Sequence, residues 1–287
     1  MEENHTSQQM KEALLATFKF TKQFLAQHSL RYVACGGTVL GAVRHQGFIP
    51  WDDDIDIYMP RADYNRLLSM NEQLRPLGYE VISCHDKGYY MPFAKISSLH
   101  STIWEFQRLP FLMGVYVDIF PLDEFNESDD IITARQYKSH YYFDKYINAV
   151  SSYPFSHLLR SIIRFDIHQI GLHILNLYRK RNPQRYLQAF LDFELTYTGG
   201  TGGKCVCVTQ WEGRIFQTEW FTDVVELPFE DTTVTVPRDY DAYLRKLYGD
   251  YMTLPPEDKR ISHLHYFVDL HRRYTIPEIL QSNNRKK

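Results

Sequence analysis

The stretch CGGTVLGAVRHQGFIPWDDDIDIYMPR, Cys35 to Arg61, runs from a glycine pair through a basic loop into a cluster of carboxylates. Asp52, Asp53, Asp54 and Asp56 fall within five positions, and like charges this close raise one another's pKa unless a cation compensates. Asp54-Ile55-Asp56-Ile57, followed by Tyr58-Met59, alternates as a half-buried strand does. Asp54 and Asp56 would then share one face, roughly 6.5–7 Å apart along the backbone. Two such carboxylates can converge on one ion, and oxygen-only ligands favour Mg²⁺ or Mn²⁺ over zinc. Upstream, the apolar run Tyr32 to Cys35, then Gly36-Gly37-Thr38, then Val39 to Val43 predict a strand, a tight turn and a helix start. Backbone N–H groups at such a junction suit a phosphate. The stretch as a whole points to metal-assisted chemistry on a phosphate ester. Each feature has a bland alternative, since acidic runs are usually solvated loops and Gly-Gly-Thr is a common turn. A solvated loop, however, has no reason to run into Ile-Asp-Ile.

A second stretch, GVYVDIFPLD (Gly114 to Asp123), places Val115, Val117 and Ile119 on one side of a strand and Tyr116, Asp118 and Phe120 on the other. An ionised carboxylate in so apolar a strand is costly unless paired or bound to metal, so Asp118 completes a candidate triad with Asp54 and Asp56. Asp123 reads as a turn or helix-cap residue ahead of the acidic loop 124–130. Between the two stretches, MPFAKISS (Met91 to Ser98) reads as a strand with Lys95 in an otherwise uncharged setting. That lysine would meet a phosphate or an inner carboxylate, unless it snorkels from an edge.

These motifs, in this order, resemble the signature of the LicD family, which includes the fukutin-related proteins, within the nucleotidyltransferase superfamily. Gly36-Gly37-Thr38, Asp54-Ile55-Asp56 and Asp118 match the superfamily pattern. The arginine-containing insert Val39 to Gln46 and the phrase Pro50 to Asp56 match its LicD version. Phe93 to Ile96 and Tyr248 to Met252, followed by Leu254-Pro255-Pro256, are also similar, while the likeness runs out over about 131–197.

The resemblance implies an α/β fold of the α+β type: a small mixed sheet flanked by helices, with a helical insertion and a C-terminal section packing back. It divides the chain into a catalytic core at 1–128, a helical insertion at 129–203 and a completing part at 204–287. The activity implied is metal-dependent transfer of a phospho-alcohol, phosphocholine-like, from a CDP-activated donor such as CDP-choline to a hydroxyl of a cell-surface glycan or lipid-linked saccharide. CMP would be released. Asp54, Asp56 and Asp118 would act catalytically and hold Mg²⁺ or Mn²⁺. Gly36, Gly37 and Thr38 would cradle phosphate, and Arg44 and Lys95 would add positive charge. His45, Trp51, Asp52 and Asp53 would lie around the substrate, with Asp118 or Asp52 as the base. Two rival readings stay open: a nucleotidyltransferase that moves an NMP group, and an inactive protein that binds nucleotide or metal.

Composition narrows the class. The chain has 287 residues, 44% hydrophobic and 23% charged, ordinary values for a globular protein. A net charge of −3 argues against a general nucleic-acid surface. Cys35, Cys84, Cys205 and Cys207 form neither a disulfide framework nor a zinc pattern, which fits a reducing cytoplasm. The polar start MEENHTSQQMKEALL is no secretory signal, and no run approaches the ~18 apolar residues of a spanning helix. A cytoplasmic protein at or near the inner face of a membrane, with peripheral membrane contact and no obligate protein partner, is the expectation.

Periodicity supplies the remaining elements: helices over 10–28, 38–44 and 61–75, and strands over 31–35, 79–84 and 91–98. Ser101 to Phe106 is expected as a hairpin return strand. The segment 157–178 has apolar residues at helical spacing interrupted by Arg160, Arg164, Asp166, His168 and His173. It is expected as a packing helix, with a membrane-surface or acceptor-binding helix as the alternative. Gly199 to Gly203 reads as a flexible connector, Cys205-Val206-Cys207 as a strand, and Tyr240 to Tyr248 as a helix stopped by Gly249. Asp250, Arg260, His263 and His265 are candidates to approach the site from the C-terminal end, and Arg285 to Lys287 reads as a frayed tail.

Overall fold

Alternating apolar strands meet long amphipathic helices in the computed structural model, which describes residues 2–152, 155–196, 201–209, 214–260, 262 and 265–284. His263, Gly199, Gly200 and the tail 285–287 lie outside the described residues. The chain opens with α1 (Glu2–Gln27), β1 (Val33–Ala34) and α2 (Gly36–His45). Then follow β2 (Asp56–Pro60), α3 (Arg61–Leu68), α4 (Asn71–Leu74), β3 (Tyr79–Ile82), β4 (Ala94–Ser98), β5 (Thr102–Trp104) and β6 (Tyr116–Phe125). A helical stretch comprises α5 (Asp129–Val150), α6 (Phe155–Ile163), α7 (Ile167–Arg179) and α8 (Pro183–Leu195). The last part holds β7 (Lys204–Val206), β8 (Phe216–Gln217), α9 (Glu219–Thr222), β9 (Val224–Phe229), β10 (Thr232–Pro237), α10 (Tyr240–Tyr248), β11 (Phe267–Asp269) and α11 (Ile276–Asn284).

The main sheet is mixed, in the order β1-β2-β6-β4-β3, and β2 and β6 are its parallel pair. β7 and β8 continue it from the far end of β6. Ile57 and Ile119, in register on β2 and β6, are wholly buried, as the alternation requires. One large apolar core takes in Phe18 and Leu25 of α1, Val39 of α2, Ile57, Ile119, and Val234, Val236 and Leu244 from the last part. The C-terminal section therefore packs back on the sheet. A second cluster joins Phe143 and Tyr146 of α5 to Leu187 and Phe190 of α8 and to Cys84. All four cysteines are buried and unpaired.

Several expectations are corrected here. β5 is not the return strand of a hairpin with β4; it pairs with β11, some 160 residues on, because Phe267–Asp269 supplies its ladder. Asp123 is no cap: it lies inside β6, 3% exposed, and Arg61 donates to both its oxygens at 2.7 and 2.6 Å. The helix expected over 61–75 breaks after Leu68. The packing helix expected over 157–178 is two helices, and most of their described large apolar side chains are exposed. Of the glycine connector, Gly202 and Gly203 are held, their N–H groups donating to Glu124 and Asn126.

Candidate active site

Strand register builds the site. Asp56 on β2 stands beside Asp118 on β6, and Lys95 on β4 stands on Asp118's other side. Neighbouring strands lie about 4.8 Å apart, so the three side chains form a row across one face of the sheet. The N–H of Asp118 donates to Ile55 O at 2.9 Å, which carries the parallel ladder back toward Asp54. Asp54 itself precedes the strand, since β2 begins at Asp56. Lys95 is 1% exposed, and its Nζ donates to Asp118 Oδ1 at 2.5 Å. The edge-lysine alternative is thereby excluded, since β4 lies between β6 and β3.

A buried carboxylate missing from the sequence reading completes this row. Glu105, just past β5, sits 3.7 Å from Lys95 Nζ. It accepts hydrogen bonds from the hydroxyls of Tyr90 and Tyr116, the latter at 2.5 Å. Lys95 also lies over the Tyr116 ring, 3.4 Å from its centroid. Burial pushes the Glu105 carboxyl up, but Lys95 and the two tyrosine hydroxyls outweigh it and hold it below its usual range. Its only signal in the sequence was a lone acid in the apolar run Ile103-Trp104-Glu105-Phe106, the same argument that found Asp118. Asp54, Glu105 and Asp118, with Lys95 and His265, line a cavity of about 160 Å³.

The aspartates carry the opposite shift. Burial first, then the like charges of Asp54, Asp118 and Asp52, push Asp56 well above the ordinary carboxylate range. Burial pushes Asp118 up to about 7, with Lys95 as the main opposing influence. Carboxylates held together against their charge call for cationic company, and Asp54, Asp56 and Asp118 offer oxygen only, the chemistry of Mg²⁺ or Mn²⁺. In kind and charge the residues fit such an ion. Among the described residues, however, no group of three His, Cys, Asp or Glu is placed to hold a metal ion, and Asp118 accepts from Lys95 instead.

The glycine turn is the first turn of α2 itself. Gly36 has a φ of +54°, a left-handed conformation that L side chains rarely adopt. Its N–H donates to the Tyr243 hydroxyl at 2.9 Å, and the Thr38 N–H to Cys35 O at 3.1 Å. Two of the N–H groups expected at a phosphate are thus engaged within the chain. Thr38 Oγ1 accepts from the Asp56 N–H at 2.8 Å, which ties the turn to the carboxylate strand. A Cβ on Gly37 would stand 2.7 Å from Asp52 Oδ2, so glycine there lets the Asp52 loop close over the helix start.

The flanking candidates gather at the same end. Arg44 donates through Nη1 to Tyr251 O at 2.7 Å and through Nε to His45 Nε2 at 2.9 Å. His45 meets Trp51 edge-on, ring centroids 6.5 Å apart, and Arg260 lies over Trp51 at 5.1 Å. Lys11 of α1 donates to Ile49 O and Pro50 O, and the charges of Asp52 and Asp53 act on it. Asp250, by contrast, accepts from Thr253. Of the C-terminal candidates described, His265 reaches the cavity and Arg260 reaches Trp51.

The site thus sets aspartates in register on a parallel strand pair of a mixed sheet, beside a glycine-led helix start. Residues 29–161 match the family model described as LicD/FKTN/FKRP, nucleotidyltransferase domain. The chain is 27% identical over 256 residues to the lipopolysaccharide cholinephosphotransferase LicD of Haemophilus influenzae, covering 83% of this chain and 88% of that protein. It is 32% identical over 126 residues to an uncharacterized protein of Rickettsia typhi and 29% over 143 residues to one of Rickettsia prowazekii. Those two matches cover 39% and 47% of their proteins. Over residues 29–161 the chain is thus similar to the LicD family.

Proposed function

We propose that the chain transfers a phospho-alcohol, phosphocholine in the leading reading, from a CDP-activated donor to a hydroxyl of a cell-surface glycan, with release of CMP. The observation that carries this is the row Asp56, Asp118, Lys95 on three adjacent strands. The acceptor oxygen would bond to the phosphorus bearing the alcohol, and the bond from that phosphorus to the CMP phosphate oxygen would break. Asp54, Asp56 and Asp118 would hold Mg²⁺ or Mn²⁺. The ion, when bound, supplies positive charge to the donor diphosphate and the departing CMP. Lys95 adds a fixed positive charge beside Asp118, and Tyr90, Tyr116 and Glu105 hold it there. Asp118 or Asp52 would take the hydroxyl proton in this reading. The choice of phosphocholine rests on the likeness to the Haemophilus influenzae protein.

Calorimetric titration with CDP-choline, CDP-ribitol, CDP-glycerol and CTP, each with Mg²⁺ and with chelator, tests the donor. Metal-dependent binding of a CDP-alcohol supports the proposal. Binding of CTP alone moves the reading to nucleotidyl transfer.

A further inference from the structure

Helices α6 and α7 carry an apolar surface that folding does not use. Of the 20 large apolar side chains that stand exposed among the described residues, ten lie between Leu159 and Tyr178. An ordinary surface scatters such side chains, whereas a contiguous patch marks a contact. The most exposed three, Ile163 at 76%, Phe165 at 87% and Ile167 at 81%, form the turn between the helices. That turn is well made: Phe165 N–H donates to Ile162 O, Asp166 N–H to Ser161 O, and Asp166 Oδ1 caps α7 by accepting from Gln169 N–H. Phe165 adopts φ +50°, a left-handed position that glycine or asparagine would fill with less strain. A large aromatic ring held there, almost wholly in solvent, serves nothing inside the fold.

Charge says what covers it. Residues 158–181 hold five Lys or Arg (Arg160, Arg164, Arg179, Lys180, Arg181) against one acid, Asp166, a balance of +4 in a chain of −3. Arg160 and Arg164 are exposed beside the apolar turn. A second copy of the chain would bring +4 against +4 in a two-fold pairing, which disfavours self-association. Apolar side chains flanked by cations suit a surface of anionic phospholipid headgroups over hydrocarbon. The helices cannot cross it: α7 has 13 residues, about 20 Å at 1.5 Å per residue, against about 30 Å of hydrocarbon core. The inner side of the pair is fixed to the protein, with Asn176 buried and donating to Asn148 O of α5.

We infer that the α6–α7 turn docks the protein on an anionic phospholipid surface, with Ile163, Phe165 and Ile167 entering the interface and Arg160 and Arg164 meeting headgroup phosphates. This inference rests on the surface alone and is independent of the proposed reaction.

Flotation of the full chain with vesicles tests it, comparing phosphatidylcholine alone with phosphatidylcholine containing phosphatidylglycerol. The protein is expected to float with the anionic vesicles and to release as salt rises. The triple variant Ile163→Ser, Phe165→Ser, Ile167→Ser is expected to lose about tenfold or more in partitioning. The pair Arg160→Glu, Arg164→Glu should lose the preference for phosphatidylglycerol. Near-ultraviolet circular dichroism shows that each variant is folded. Protein that stays in solution with both vesicle types, equal binding to both, or a triple variant that binds like the parent overturns the inference. A dimer in sedimentation that the triple variant abolishes, without vesicle binding, assigns the surface to a second copy and also overturns it.

Discussion

Lys95 Nζ and Asp118 Oδ1 stand 2.5 Å apart as register partners on β4 and β6. Neither residue is more than 8% exposed. The pair fixes where positive charge sits in the site, and it holds one oxygen of the carboxylate expected to meet a metal ion.

Removing one partner of a buried pair strands the other. Lys95→Met is therefore expected to weaken the fold by about 3–5 kcal/mol. Adding Asp118→Asn to it should restore part of that loss, so that the double variant falls short of additivity by about 1 kcal/mol or more. Urea denaturation of the four proteins measures this. Strict additivity would show that the two side chains do not depend on each other.

Catalysis and stability should separate at Asp56. Its carboxyl is pushed up by burial and by Asp54, Asp118 and Asp52, so it opposes folding when ionised. Asp56→Asn is expected to keep or raise the melting temperature near neutral pH while turnover falls by about a thousandfold or more. Melting curves and initial rates on the same preparation check both halves. Full turnover in the variant would remove Asp56 from the machinery.

The same shifts set a pH dependence. In the unfolded chain an aspartate ionises at about 4. In the folded chain Asp56 and Asp118 keep their protons to higher pH, Asp118 to about 7. Between those values the folded state binds more protons than the unfolded one, so the contribution of these groups to stability falls as pH rises. Chelator-treated protein is expected to melt lower at about pH 8 than at about pH 5, and added Mg²⁺ or Mn²⁺ to recover more at the higher pH. The double variant Asp56→Asn, Asp118→Asn should flatten both trends. Identical trends in the double variant would trace them to other groups.

Gly37 tests whether the helix start serves the site or the fold. A Cβ there meets the end of the Asp52 side chain, which can swing away. Gly37→Ala is expected to change the melting temperature by only a few degrees, about 1 kcal/mol, yet to weaken donor binding in calorimetry. Unchanged donor affinity would leave Gly37 a packing residue.

Asp123 tests the opposite case. Arg61 meets it at 2.6 Å and Glu194 of α8 at 3.5 Å, which ties α3, β6 and α8 together. Asp123→Asn is expected to destabilise the fold by about 3 kcal/mol or more with donor affinity unchanged. A loss of affinity in folded variant protein would contradict that division of labour.

Local pattern made the centre of this protein readable and left its long-range partners hidden. Asp56 and Asp118 stood out because each interrupts an apolar alternation of period two, and the sheet places them in register. Asp123 interrupts the same alternation, yet its reason, Arg61, lies 62 residues away with no local sign. Glu105 was equally legible by burial logic, but its partners Tyr90 and Tyr116 flank it at a distance that only the fold closes. The partner of β5 lies in the last thirty residues or so, beyond the reach of hairpin reasoning. The break at Phe165 carries neither glycine nor proline, the residues that normally announce one, so 157–178 read as a single helix.

The most direct test is the fate of the nucleotide. With CDP-choline labelled in the choline, Mg²⁺ and a lipopolysaccharide or lipid-linked saccharide acceptor, CMP should appear in step with labelled phosphocholine on the acceptor, and both should vanish in Asp56→Ala. Pyrophosphate released from CTP, with the nucleotide left on the acceptor, would contradict phospho-alcohol transfer and assign the same carboxylates to nucleotidyl transfer.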